Sequence, residues 1–310
     1  MLDQFNCTVV IPAYNAAKHI EETVSSVLAS AEVSAQIIIV DDGSTDNTPA
    51  ILSELARKHN CITVVRIANA GVSSARNTGL ALASSPFICF LDADDRLTAD
   101  ALAVLCRTLD SDTEAAAAYG DVQYIDEKSK TYVLTKRNTA FPLKSPVTIS
   151  SILQRNLADT PGAILFRTAL IKQVGGFDSK LLYAEDWELY VRLACLGTFV
   201  HCGTTVIDYR LHASSAMSSK RLTHRDFEPA LAKVFNAPAE RYGLSAQMLK
   251  IYEHRMRVRV QEVIILKSKG FKTQLRNVRE IVSTLLDSNL EPALIKATAK
   301  GILSATIRVF

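Results

Sequence analysis

Three carboxylates, Asp92, Asp94 and Asp95, follow directly on the apolar run Phe87-Ile88-Cys89-Phe90-Leu91. Carboxylates crowded this closely repel one another and are costly to desolvate, so they need water, hydrogen-bond donors or a cation. Alternation along an extended strand would set Asp92 and Asp94 on one side and Asp95 on the other. Oxygen ligands suit Mg2+ or Mn2+, and Mg2+ takes only one or two protein carboxylates, with phosphates and water completing its shell. The pattern suggests a divalent ion shared with a phosphorylated substrate. A plainer reading has Asp95 or Thr98 capping the helix expected over residues 98–109. A second acidic pair, Glu185-Asp186, opens the stretch "EDWELYVRL". A helix N-terminus stabilises a carboxylate, which suits either an acidic cap or a general base that accepts a proton from a hydroxyl.

The elements that position these groups can be read from hydrophobic periodicity. "CTVVIPAYN", "AQIIIVDDGS", "CITVVRIA" and "PFICFLDADD" are apolar, β-branched runs expected as buried strands. Between them, "AAKHIEETVSSVLAS", "TDNTPAILSELARKHN" and "GVSSARNTGLALASS" carry helical spacing, with a start signal at Asp46 and Thr48-Pro49. This alternation predicts a parallel sheet covered by helices, with ligands beyond the carboxyl ends of its strands. Polar residues gather at that end of every strand: Pro12-Ala13-Tyr14-Asn15, Asp41-Asp42-Gly43-Ser44, Asn69-Ala70-Gly71 and Asp92-Ala93-Asp94-Asp95. No G-x-G-x-x-G follows the first strand and no G-x-x-x-x-G-K-[ST] occurs, which disfavours a dinucleotide enzyme or a P-loop NTPase.

These strand ends resemble the family 2 glycosyltransferases of the GT-A fold, inverting enzymes that use nucleotide sugars. The likeness lies in "VVIPAYNAAKHIEETVSSVL", "IIIVDDGSTDNT", "NAGVSSARNTGLALASSPFICFLDADD", "TPGAILFRTALIKQVGGFD", "EDWELYVRLACLG" and "DYRLHASSAMS". It covers about residues 5–219 and implies a Rossmann-like, mostly parallel sheet flanked by helices. It also implies that Pro12, Ala13 and Tyr14 border the nucleotide base, that Asp41 bonds the base and that Arg76 approaches the nucleotide. Asp94 is implied to bind Mn2+ or Mg2+, with Asp92 on the ribose or in the metal shell, and His212 completes the metal or diphosphate site. The E-D motif makes Asp186 the general base and Glu185 a supporting or acceptor-binding residue. Asp159, Thr160 and Gly162 of "ADTPGAILF" are expected to line the sugar and acceptor region. Trp187 either stacks on a sugar or packs in the core.

The implied reaction is a single displacement from a nucleoside-diphosphate sugar, UDP being the expected nucleotide, to a hydroxyl of a glycan or lipid-linked glycan, as in cell-envelope polysaccharide synthesis. Two alternatives are a nucleotide-sugar-binding scaffold without turnover and a sugar-phosphate nucleotidyltransferase; the N-terminal Gly-rich signature expected of the latter is absent.

Length and charge bound the rest. The 310 residues suffice for a large α/β domain plus an appendage. The six cysteines occur without C-x-x-C pairs and read as reduced core residues, not zinc ligands or disulfides. No apolar run reaches the roughly 18–20 residues needed to span a bilayer, and the start lacks a signal-peptide layout, so a cytoplasmic protein is expected. Residues 1–219, expected as the catalytic domain, carry a net charge of −6, and residues 220–310 carry +9. The latter read as successive basic helices that cover the catalytic domain, form a homodimer contact or touch an anionic membrane face. They show no nucleic-acid motif.

Overall fold

The computed structural model describes residues 5–30, 32–132, 145–158, 160–211 and 222–267. It divides into two compact units, residues 1–152 with 156–211, and residues 153–155 with 212–310.

In the first unit, strand and helix alternate as expected: β1 (Phe5–Ala13), α1 (Ile20–Leu28), β2 (Val33–Asp41), α2 (Thr48–Lys58), β3 (Ile62–Arg66), α3 (Val72–Leu82) and β4 (Phe87–Phe90). There follow β5 (Arg96–Leu97), α4 (Ala101–Asp110), β6 (Ala115–Ile125), β7 (Thr131–Tyr132), α5 (Ile149–Ile152), β8 (Ile164–Arg167), α6 (Thr168–Gln173), α7 (Glu185–Ala194) and β9 (Thr198–Arg210). The described strands form one nine-stranded sheet in the order β3-β2-β1-β4-β8-β6-β9-β5, with β7 on β6. From β3 to β4 every pairing is parallel. Beyond β4 the sheet becomes mixed: β8 is antiparallel to both β4 and β6, and β9 is parallel to β6.

Helices cover both faces of the parallel half, which is why its strands are uninterrupted apolar runs. Val9, Val10, Ile11, Ile37, Ile38, Ile39, Ile88, Cys89 and Phe90 are all fully buried, each large side chain contributing about 1.5–3 kcal/mol of transfer free energy. The fit of α3 on β1 is close. A Cβ at Gly79 would sit 2.3 Å from Val10 Cγ1, so the glycine of "SARNTG" lets the helix approach the strand.

In the second unit, where successive helices are expected, lie α8 (His224–Phe235) and α9 (Ala246–Lys267). Thr223 caps α8 through a reciprocal capping box with Asp226. Arg257 of α9 makes a bidentate pair with Glu228 of α8 at 2.7 and 3.0 Å. The remainder of the expected helical region, residues 268–310, lies outside the described residues. Among the described residues, no helix is long and apolar enough to cross a membrane.

Candidate active site

The strand-end loops are tied to one another by backbone groups and short polar side chains. Asp42 donates its N–H to Ala13 O at 2.8 Å, and its carboxylate accepts from the amides of Ala70 and Gly71 at 2.7 and 2.9 Å. Asn15, in the left-handed region at φ 49°, accepts through Oδ1 from the amides of Thr45 and Asp46. Gly43 turns at φ +74°, where a Cβ would lie 2.9 Å from Asn69 N. Asp41 is buried, with Oδ1 accepting from Ser44 N at 2.9 Å and Oδ2 facing Arg66 at 3.4 Å.

Pro12 and Ala13 are buried as the last ladder partners of Val40 and Asp41. Tyr14 is the one that faces solvent, 52% exposed.

The carboxylate cluster lies in a turn, not in an extended strand. β4 stops at Phe90, and Asp95 N donates to Asp92 O at 3.1 Å. Exposure still alternates: Asp92 and Asp94 are half-buried, Ala93 and Asp95 buried. Asp95 Oδ1 accepts from Arg210 N at 2.9 Å and Oδ2 pairs with Thr160 Oγ1 at 3.3 Å. Burial, with the charges of Asp92 and Asp94 beside it, pushes the Asp95 carboxyl well above the usual carboxylate range. Thr23 Oγ1 donates to the carbonyls of Ala93 and Asp95, and Arg210 Nε donates to Asp94 O at 2.8 Å. The turn is thus pinned from behind while Asp92 and Asp94 face outward. Neither Asp95 nor Thr98 caps α4, whose N-cap is Asp100. Thr98 Oγ1 donates instead to Thr205 O.

Arg76 joins this turn to the second acidic pair. Its guanidinium donates to Asp92 Oδ1 at 2.8 Å and to Glu185 Oε1 at 3.1 Å, and lies 5.1 Å from the centre of the Phe177 ring. Burial opposes its charge, but the two carboxylates more than offset that and raise its pKa. Arg76 is therefore a buried bridge between the two carboxylates. Its neighbour Asn77 fixes Phe177 from both sides, accepting from Phe177 N and donating to Phe177 O, each at 2.8 Å. Arg192 holds the preceding loop through the carbonyls of Val174 and Gly176 and is itself paired with the buried Glu188. The motifs "SARNTG", "VGGFD" and "EDWEL" are parts of one cluster.

Asp186 sits in the first turn of α7. Its Oδ2 accepts from Asn156 Nδ2 at 3.0 Å and its Oδ1 from Trp187 N at 2.6 Å. Burial and the adjacent charge of Glu185 outweigh these bonds and the Arg76 charge, pushing its pKa up to about 6. That value suits a group that takes a proton near neutral pH. Asn156 and Arg210 were not singled out in the sequence. The first is an isolated polar residue, and the only signal for the second is its place in "DYRLH".

Three expected substrate contacts belong to the core instead. Trp187 is fully buried, with Nε1 donating to Ile152 O at 2.7 Å, so it stacks on no sugar. Thr160 is spent on Asp95 and on Gly162 N. The close approach permitted by Gly162 is that of Ile207 Cδ1, which would lie 2.5 Å from a Cβ there. Asp159 and His212 lie outside the described residues.

The donor set at the turn fits a hard divalent ion. Asp92 and Asp94 are half-buried carboxylates two residues apart, and an ion that shares its shell with a diphosphate needs no more than one or two. No group of three metal-ligating side chains gathers among the described residues.

A mixed α/β sheet flanked by helices, with these carboxylates at the end of its parallel half, has the architecture of the GT-A fold. The glycosyl transferase family 2 model matches residues 8–175, more than half of the sequence, and the chain belongs to that family. It is similar to the chondroitin synthase of Escherichia coli, 27% identical over 76% of this chain and 33% of that protein. The chain thus spans about a third of that relative's length. It is also similar to the UDP-Glc:alpha-D-GlcNAc-diphosphoundecaprenol beta-1,3-glucosyltransferase WfgD of E. coli, 27% identical over 71% of this chain and 82% of that one. Among solved structures, Staphylococcus aureus TarS 1-349 with UDP-GlcNAc shares the fold at TM-score 0.67 and 19% identity, covering 98% of this chain and 91% of TarS 1-349. The mannosyltransferase PcManGT of Pyrobaculum calidifontis, in complex with GDP-Man and Mn2+, does so at TM-score 0.62 and 19% identity, covering 97% and 86%.

Proposed function

We propose that residues 1–219 form an inverting glycosyltransferase that moves a sugar from a UDP-sugar to a hydroxyl of a glycan or lipid-linked glycan. The observation that carries this reading is the Arg76 bridge, which holds Asp92 of the turn and Glu185 beside Asp186 in one crevice. A leaving-group site and a base are thereby brought together in a fixed relation. The family, the sugar-nucleotide ligands of the fold relatives and the lipid-linked substrate named for WfgD support the choice of donor and acceptor.

Tyr14 and the Asp41 turn receive the nucleoside, and Asp92 reaches its ribose or the metal shell. Asp94 would hold Mn2+ or Mg2+, which when bound would neutralise the diphosphate as it leaves. Asp186 Oδ accepts the proton of the acceptor hydroxyl as that oxygen attacks the anomeric carbon, and Asn156 and the Trp187 amide fix its orientation. Arg210 and Thr23 keep the carboxylate turn rigid, so its charges need little reorganisation during the reaction.

Two expected results follow. Asp94→Asn should weaken Mn2+-dependent UDP binding at least about tenfold in calorimetric titration, the loss of roughly 1.4 kcal/mol, while UDP binding in EDTA is weak for both proteins. Equal affinity in the presence and absence of metal, for wild type and variant alike, removes Asp94 from the metal site. The second concerns pH. Because the Asp186 base must be ionised and its pKa lies near 6, kcat/KM should rise with pH through about 6 and level off above it. A rate that is flat from pH 5 to 8 contradicts that assignment.

A further inference from the structure

Along β9 the side chains alternate between the two faces of the sheet. Asp208 bonds Arg96 at 2.7 Å and Gln123 at 3.1 Å, and Arg210 bonds Glu22 at 2.7 Å and Ser129 at 3.0 Å. Tyr209, between them, faces the other way, its ring edge-on at 5.7 Å to Tyr124, its cross-strand partner on β6. Ile207 shares that face two residues earlier. A Cβ at Gly162 would be 2.5 Å from Ile207 Cδ1 and 3.2 Å from Leu91 Cδ1, so the 161–163 turn, β9 and the end of β4 meet there. One step beyond Leu91 is Asp92, and the next side chain beyond Ile207 on the same face is Tyr209. The neighbouring amide of Arg210 is already bonded to Asp95. The Tyr209 phenol is therefore delivered to the crevice by strand geometry.

Its electrostatic surroundings agree. Burial first, then the charges of Asp95, Asp92, Asp94 and Asp186, raise the pKa of the phenol and keep it protonated. The side chain is only half-buried, and the hydroxyl makes no hydrogen bond among the described residues. A neutral O–H near the carboxyl end of β9, on the strand whose Arg210 amide is bonded to Asp95, is suited to an oxygen that arrives with the substrate.

We propose that the Tyr209 hydroxyl donates a hydrogen bond to the sugar-diphosphate of the bound donor, at the oxygen that leaves the anomeric carbon. This rests on the nucleotide-sugar reading above. In the transfer, the anomeric C–O bond breaks and its electron pair stays with the diphosphate oxygen. The acceptor oxygen forms the new bond and its proton passes to Asp186. Tyr209 keeps its own proton and steadies the oxygen on which charge develops. A donor used chiefly in the transition state should affect kcat more than ground-state binding.

Tyr209→Phe removes only the hydroxyl and keeps the ring against Tyr124. UDP release from UDP-glucose, UDP-GlcNAc, UDP-galactose, UDP-GalNAc and UDP-glucuronate, with Mn2+, should show kcat reduced roughly 10²-fold, the scale of losing one oxyanion donor. UDP–Mn2+ affinity should stay within about threefold and Tm should be unchanged. A kcat within about twofold of wild type overturns the proposal. So does a parallel fall of kcat, UDP affinity and Tm, which would make Tyr209 a packing residue. If wild type turns over none of these donors, the UDP-sugar reading fails and Tyr209's role with it; if wild type is active and the variant equally so, only the Tyr209 proposal fails.

Discussion

Asp186→Asn is expected to lower kcat by roughly 10²–10⁴, the range lost with a general base, while UDP–Mn2+ binding is retained. The amide keeps the shape of the carboxylate and can still bond the Trp187 N–H, but it accepts no proton. Stability should move the other way. A carboxyl whose folded pKa is raised to about 6, above the unfolded value near 3.9, adds stability that is fully present below about pH 4 and is lost as pH rises through about 6. Removing the charge should therefore raise Tm at pH 7.5 and leave it nearly unchanged at pH 4. Turnover near wild type excludes Asp186 as the base. A joint loss of turnover and UDP affinity makes it a donor-positioning residue.

The same cluster predicts the largest loss of stability. Arg76→Met takes the cation from between Asp92 and Glu185, whose side chains are 28% and 16% exposed around an arginine that is 4% exposed. Breaking a buried pair by removing one partner costs about 3–5 kcal/mol; the partial exposure of Asp92 places this variant at the low end, about 3. In a domain of this size that lowers Tm by roughly 6–12 °C. Lysine should not restore it, because a single ammonium cannot reproduce the planar fork that serves two carboxylates and lies over Phe177. A thermal scan showing Arg76→Met within about 2 °C of wild type, or full rescue by Arg76→Lys, contradicts the bridge.

Much of this was legible in the sequence because it follows from period and composition. The runs around Val9, Ile38 and Ile88 read as buried strands and are so, that around Val64 is a strand at the sheet edge and only partly buried, and the helical spacing between them imposed a parallel order. The carboxyl end was therefore identifiable before any coordinates. What escaped depended on where chains stop and on contacts distant in sequence. Periodicity alone does not reveal that β4 ends at Phe90 and that Asp92 begins a turn. Nothing near Arg76 in the chain announces Glu185, 109 residues away, as its partner. Trp187 offered stacking or burial, and only the carbonyl of Ile152 decides for burial. Asn156, on an irregular segment, carries no local signal that it holds Asp186. The turn from parallel to mixed sheet at β8 follows from a pairing of strands distant in the chain, which the residues 164–167 do not announce.

The most direct measurement of the central claim is release of UDP by the full chain from the five UDP-sugars with Mn2+ and a lipid-linked glycan extract, run alongside EDTA-treated enzyme and Asp186→Asn. The account expects one of these donors to be consumed at a rate that EDTA and the substitution each reduce at least about 10²-fold. Turnover that survives both treatments, or no turnover of any UDP-sugar by a chain that binds UDP, would contradict it.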